Sequence, residues 1–304
     1  MSKSEKLQTT AWFATAIGYV LGYQYLAVGG YEWILFRQAA LNNGLADKVA
    51  NPPYIFSLLY PLATLSPRVG LLLYTLLAVM SLYFVYRLSG INKWLLLFSF
   101  PTVWNLFSAQ LDTFSTLGVA LGWWAVKEKR PFLIGVALVL LGIKPQATFG
   151  LAIVYAIWGW HWKILIAPVF VMLYSFALFG FWPPNWVIHV LNQSSGENAF
   201  FNGGLGAFPW GLLAWVPLIL GRKFYNQTQF ATASIAATLL SSPYVGSYST
   251  MVFLGLPAFW FSYIIAIPWR LLTPDFNILF YCLPIVVLYP LLNKLLRKRF
   301  SIVL

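Results

Sequence analysis

The chain has 304 residues, of which 60% are hydrophobic and only 9% charged. A soluble domain carries about 25% charged residues, and a chain this poor in charge cannot cover its surface in water. The apolar runs are continuous rather than alternating, which excludes a membrane β-barrel. The 19 Lys+Arg against 7 Asp+Glu sit mostly in short breaks between those runs. There they read as topology and headgroup anchors, not as a nucleic-acid surface. The expected class is an all-α polytopic membrane protein. A single transmembrane domain over 1–304 holds roughly eleven helices of about 17–25 residues, some shorter.

In chain order, Lys3 and Lys6 place the N-terminus in the cytoplasm. The first apolar run, from Thr10 to Gly29, has no small-residue cleavage site and reads as a retained span. A first extracytoplasmic loop follows over 30–68, with a short helix expected in Tyr31–Ala40. The stretch Ile55–Leu65 is bounded or broken by Pro52, Pro53, Pro61 and Pro67, so it should lie at the interface or dip in rather than cross. Spans are then expected over Val69–Leu88, Trp94–Phe107 and Thr113–Val126, with inside markers at Arg87, Lys93 and Lys127–Arg130. Two short helices, Phe132–Ile143 and Ala147–Trp158, turn at Lys144-Pro145-Gln146.

After an inside loop at Trp160–Lys163, a long span ends near Trp182-Pro-Pro184. A second large outer loop covers 183–208. The last expected spans are Trp210–Leu220, Ala231–Leu240, Met251–Ile267 and Ile278–Leu291. That drawing leaves the basic tail Lys294–Arg299 outside, against the positive-inside tendency, and so implies one miscounted late span.

Chemistry must come from few groups. Glu5 and Glu128 sit among basic residues as local charge balance, and Asp275 reads as a turn residue. Glu32, Asp47, Asp112 and Glu197 remain, all assigned to one face, together with His189. Glu32 can accept a proton from a bound hydroxyl, or simply pair with Arg37 or Lys48. Asp112 is either the N-cap or a first-turn acid of the helix that follows, and with Gln110 it can hydrogen-bond sugar hydroxyls.

Lys144 stands between apolar runs with no carboxylate near it in sequence. It needs an anion such as a lipid phosphate, or it snorkels. The polar run Ser241–Tyr248 reads as a capped turn at a helix start whose hydroxyls can line a sugar site. His161 and His189 fall on opposite sides, no metal cluster is expected, and no P-loop or Gly-x-Ser-x-Gly is present. Cys282 has no partner for an internal disulfide.

Taken in order, these motifs resemble a C-type integral-membrane glycosyltransferase of glycosyltransferase family 87, the polyprenol-phosphate-mannose-dependent mannosyltransferases. The likeness rests on Glu32, Phe36, Ala39 and Gly44, on Pro52-Pro-Tyr54, and on Ala109-Gln110 with Asp112. Lys144-Pro-Gln146 and Ser242-Pro-Tyr244 with Tyr248 complete it, over about residues 10 to 260. The family's loop acid is Asp where this chain has Glu32, its Gly-Gln is Ala109-Gln110 here, and this chain is shorter.

The resemblance implies an inverting transfer outside the cytoplasm, at the plasma membrane. A sugar, mannose in that family, moves from a polyprenyl-phosphate donor to a glycolipid or glycan acceptor, with no cofactor and no metal. It implies Glu32 as base, Lys144, Gln146 and Tyr248 at the donor phosphate, and Gln110, Asp112, Asp47 and Tyr54 at the sugar or acceptor. Two other classes stay open on the same residues. One is a non-catalytic membrane subunit that binds lipid or a partner complex. The other is a transporter of a lipid-linked substrate, whose broken half-helices would meet around Lys144.

Overall fold

A computed structural model describes residues 3–26, 30–46, 49–194, 207–242, 246–268 and 278–300. These residues form α-helices and 3₁₀ segments, with no strand among them. Helix α1 covers Lys3–Leu26, α2 Tyr31–Leu41, α3 Pro53–Ala63 and α4 Pro67–Ser89. Then follow α5 Lys93–Phe98, α6 Phe100–Ser108, α7 Asp112–Lys127, α8 Pro131–Leu141 and α9 Pro145–Trp158. The remainder are α10 Ile166–Phe179, α11 Pro183–Ser194, α12 Trp215–Leu220, α13 Gln227–Ser241, α14 Trp260–Ala266 and α15 Ile278–Phe300.

Proline sets many of the boundaries. It stands in the first turn of α3, α4, α6, α8 and α9, where its missing N–H costs nothing. Among the described residues, two helices are long and apolar enough to cross a membrane, Pro67–Ser89 and the 3₁₀-plus-α run Trp162–Phe179. Helix α3 has 11 residues. That is about 16 Å of helix, roughly half a bilayer core. It packs on α2 through Phe36 and Phe56, with ring centroids 6.0 Å apart.

Three expected segments differ. Trp94–Phe107 is not one helix: Ser99 is extended, and α5 and α6 are separate pieces. The Ser99 hydroxyl instead bonds Leu96 O and Thr102 Oγ1. Met251–Ile267 is not one helix either. Ser247–Gly255 is a 3₁₀ helix, an extended turn follows at Leu256–Phe259, and α14 comes after. Nine residues of 3₁₀ are unusually long, because its hydrogen bonds are poorer than those of an α-helix. It persists here because Thr250 through Leu254 are wholly buried, and because Gly255 meets α7 directly. A Cβ on Gly255 would lie 2.6 Å from Thr116 O. Irregular backbone is tolerated in an apolar bundle where protein covers it.

The third correction concerns the C-terminus. Tyr225 donates to Val287 O at 2.8 Å, and Tyr289 lies against Trp260. Helix α15 therefore runs toward the turn holding Arg222 and Lys223, the end where Lys93 and Lys127–Arg130 also lie. The run Lys294–Arg299 follows on that helix to the same end.

The two long loops meet at the opposite end. Trp186 donates to Ala50 O at 3.1 Å, and His189 Nε2 lies 3.1 Å from Ala46 O and 3.2 Å from Val49 O. His189 is thus held by loop carbonyls. His161 serves the other end, where its Nδ1 accepts from Lys163 N.

Candidate functional site

The site forms where helix ends converge at the loop-covered end of the bundle. Gly30 takes a left-handed conformation (φ 77°) that lets its N–H reach Phe107 O at 2.8 Å. This ties the start of α2 to the end of α6. The buried face of α2 is Trp33, Phe36, Ala39 and Ala40, at helical spacing. Glu32 flanks that face, half-buried.

Helix α6 ends in a tight turn. Ala109 is left-handed (φ 59°), and its N–H and that of Gln110 both reach Asn105 O. A glycine is the usual residue in this C-terminal position. Tyr74, buried in α4, donates to Gln110 O at 2.8 Å. Its ring lies 5.4 Å from Trp33 and 5.5 Å from Phe114, so it links α2, α4 and α7.

Asp112 opens α7 as a first-turn acid, with Leu111 as the capping residue. That answers the choice left by the sequence. A carboxylate there is favoured by the helix dipole, but Asp112 is also 0% exposed and needs a cation.

The cation is Lys144, which is 5% exposed. Its Nζ lies 3.0 Å from Asp112 Oδ2, donates to Gln110 Oε1 at 3.2 Å, and sits 5.0 Å from the Tyr248 ring centroid. Lys144 therefore needs no external anion to be buried. The partner missing from its sequence neighbourhood comes from another helix. Neither Asp112 oxygen receives a well-directed hydrogen bond among the described residues, so the contact is an ion pair by distance rather than a satisfied one.

The α8–α9 turn that carries Lys144 is braced by the first loop. Tyr54 donates to Val139 O at 2.9 Å and Asn51 to Ile143 O at 2.9 Å. Thr148 donates to Lys144 O at 2.9 Å and also to Leu141 O. Tyr54 and Asn51 thereby satisfy carbonyls at and just past the end of α8, whereas Lys144 O, the capping carbonyl of α9, also accepts from Ala147 N and Thr148 N.

Glu32 feels the pair at a distance. Burial pushes its carboxyl above the ordinary value, Lys144 pulls it part of the way back, and Asp112 adds to the rise. It makes no ion pair with Arg37, whose guanidinium instead reaches Leu65 O at 3.4 Å.

Of the residues singled out from the sequence, Gln110, Asp112, Lys144 and Tyr248 stand together, with Glu32 in electrostatic reach. Tyr54 contributes a hydroxyl already given to Val139 O. Gln146 lines an apolar groove between α9, α12 and α13 instead of joining the cluster. Asp47, Glu197, Asp275 and Pro243-Tyr244 lie outside the described residues. Of the Ser241–Tyr248 patch, Ser241 ends α13, and Ser247 and Tyr248 open the 3₁₀ helix.

Sequence reading missed Tyr74, Asn51, Asn105 and Thr148. Asn105 is the one with a signal, a buried amide within an apolar helix, whereas Tyr74 looks like any aromatic in a span. No family model, curated protein or solved structure matches this chain.

Proposed function

We propose that this protein is a multi-pass plasma-membrane glycosyltransferase, with its N-terminus in the cytoplasm and its site outside, that moves a hexose from a polyprenyl phosphate to an extracytoplasmic glycolipid or glycan. The observation that carries this reading is the convergence of one buried Lys, two carboxylates and an amide at a single loop-covered end of an apolar bundle. The other end collects the basic loops, which under the positive-inside rule faces the cytoplasm.

The chemistry fits these groups. An acceptor hydroxyl attacks the anomeric carbon from the face opposite the phosphate. The new C–O bond forms as the sugar–phosphate bond breaks, and the electron pair leaves on the phosphate oxygen. Glu32 takes the hydroxyl proton, a task suited to a carboxylate whose proton affinity burial has raised. Lys144 turns from Asp112 toward the departing oxygen and stabilises its charge. Gln110 stays hydrogen-bonded at the ammonium or turns to a sugar hydroxyl.

The experiment is a transfer assay on purified protein with polyprenyl-phosphate hexoses, comparing wild type with Glu32→Gln. Turnover should fall by roughly 10²–10⁴-fold, the usual worth of a positioned base, while donor binding persists. Full activity in Glu32→Gln removes the assigned mechanism.

One observation favours a second reading, a subunit that binds lipid without catalysis. Lys144 is already neutralised by Asp112, so the pair can be a structural brace. A wild type that transfers nothing yet binds prenyl phosphate would select that reading.

A further inference from the structure

A groove of about 820 Å³ lies between α9, α12 and α13. Its walls are apolar and include Phe149, Ile153, Ile157 and Ile219, all exposed. It runs along α9 from Gln146 to Trp158, which is about 20 Å at helical rise and close to one extended acyl chain. The end away from Lys144 is different in kind. Arg222 closes it and also lines a smaller cavity of about 280 Å³ with Tyr225, Asn226 and Gln227. The Arg222 guanidinium stands over the Phe230 ring at 5.9 Å, and no carboxylate pairs with it among the described residues. The described carboxylates at this end of the bundle are Glu5 and Glu128, neither of which lines either cavity.

We infer that this groove holds one anionic glycerophospholipid from the leaflet at the basic end, with its phosphate at Arg222 and an acyl chain lying up α9. Charge and shape give the assignment its direction. A chain-length apolar channel ends on an uncompensated guanidinium, and a guanidinium binds phosphate through paired N–H donors. A Trp at that mouth is typical of a headgroup-level position. The site is separate from Lys144 and does not depend on transfer. It rests only on the membrane-embedded part of the proposed function.

The test begins with an alkaline carbonate wash of membranes containing the full chain. Release of the protein would overturn the membrane reading and this inference together. Retained protein is purified, exchanged into micelles holding phosphatidylglycerol and phosphatidylcholine, and weighed by native mass spectrometry. Phosphatidylglycerol should be retained in preference. Arg222→Gln should lower that preference by about fivefold, the size expected of one basic side chain at an anionic headgroup. Lys163→Gln, a charge at the same end but outside the groove, should leave it unchanged. Ile153→Trp fills the groove and should reduce retention of both lipids, so the result does not hang on one variant. Equal retention of the two lipids overturns the inference, as does full preference in folded Arg222→Gln. So does a protein dimer free of lipid adducts, which would make the groove a contact between copies. Loss of the bound lipid in Lys144→Met but not in Arg222→Gln would place the phosphate at the other end and would equally overturn it.

Discussion

Lys144 and Asp112 are the residues whose chemistry depends most on each other. Removing one partner of a buried pair leaves an uncompensated charge, which costs about 3–5 kcal/mol. Lys144→Met and Asp112→Asn are each expected to lower stability, the first by about that amount. The combined variant should recover most of the loss, because neither charge then remains buried. Thermal unfolding of the three variants in detergent checks this, and strictly additive losses would show that the two side chains are not coupled. Glu32 supplies a pH signature. If it is the base, transfer requires its ionised form, so the acid limb of kcat should lie above the ordinary carboxylate range. The stability effect has the opposite sign. A carboxyl with a raised folded value stabilises the fold below its unfolded value, and that contribution is lost as pH rises through the raised value. Glu32→Gln should therefore be no less stable than wild type near neutral pH while losing transfer, a pairing that a merely structural carboxylate would not produce.

At the scale of elements, the packing of the 3₁₀ helix against α7 places the Tyr248 ring over Lys144. Gly255 allows that approach, since any Cβ there meets Thr116 O and the Val119 side chain. Gly255→Ala should destabilise by about 1–3 kcal/mol through overpacking, and the shift should be seen in thermal unfolding. An unchanged midpoint would mean that the segment can move away from α7 at no cost. The short α3 works in a similar way. Its first turn delivers Tyr54 to Val139 O of α8, and Asn51, two residues ahead of the helix, reaches Ile143 O in the turn after α8. The prolines that keep this stretch from being a full span thereby leave it free to pack under the Lys144 turn. From the sequence these prolines predict a short helix correctly. The carbonyls it would brace belong to a helix far along the chain and have no local signature.

For the whole molecule, the prediction is sidedness. The two long loops touch through Trp186 and His189, so both must face one side. With Cys282 replaced by Ser, a cysteine at exposed Gln38 should react with an impermeant reagent from outside intact cells, and one at exposed Lys129 only after permeabilisation. The reverse pattern would put the Glu32–Lys144 site in the cytoplasm and remove the proposed donor.

Composition alone determined the helical, apolar character of the chain, because 9% charge cannot clothe a soluble surface and continuous runs favour helices. Local sequence also determined where α3, α4, α8 and α9 start, because proline acts within a turn of itself, but not the break at Ser99 or the 3₁₀ segment. The partner of Lys144 was decided only in three dimensions. So were the burial of the Ser247–Gly255 segment and the end at which the basic tail lies. An ion pair between helices and a 3₁₀ segment covered by protein are both stabilised by neighbours remote in the chain, and no local pattern of residue types encodes those neighbours.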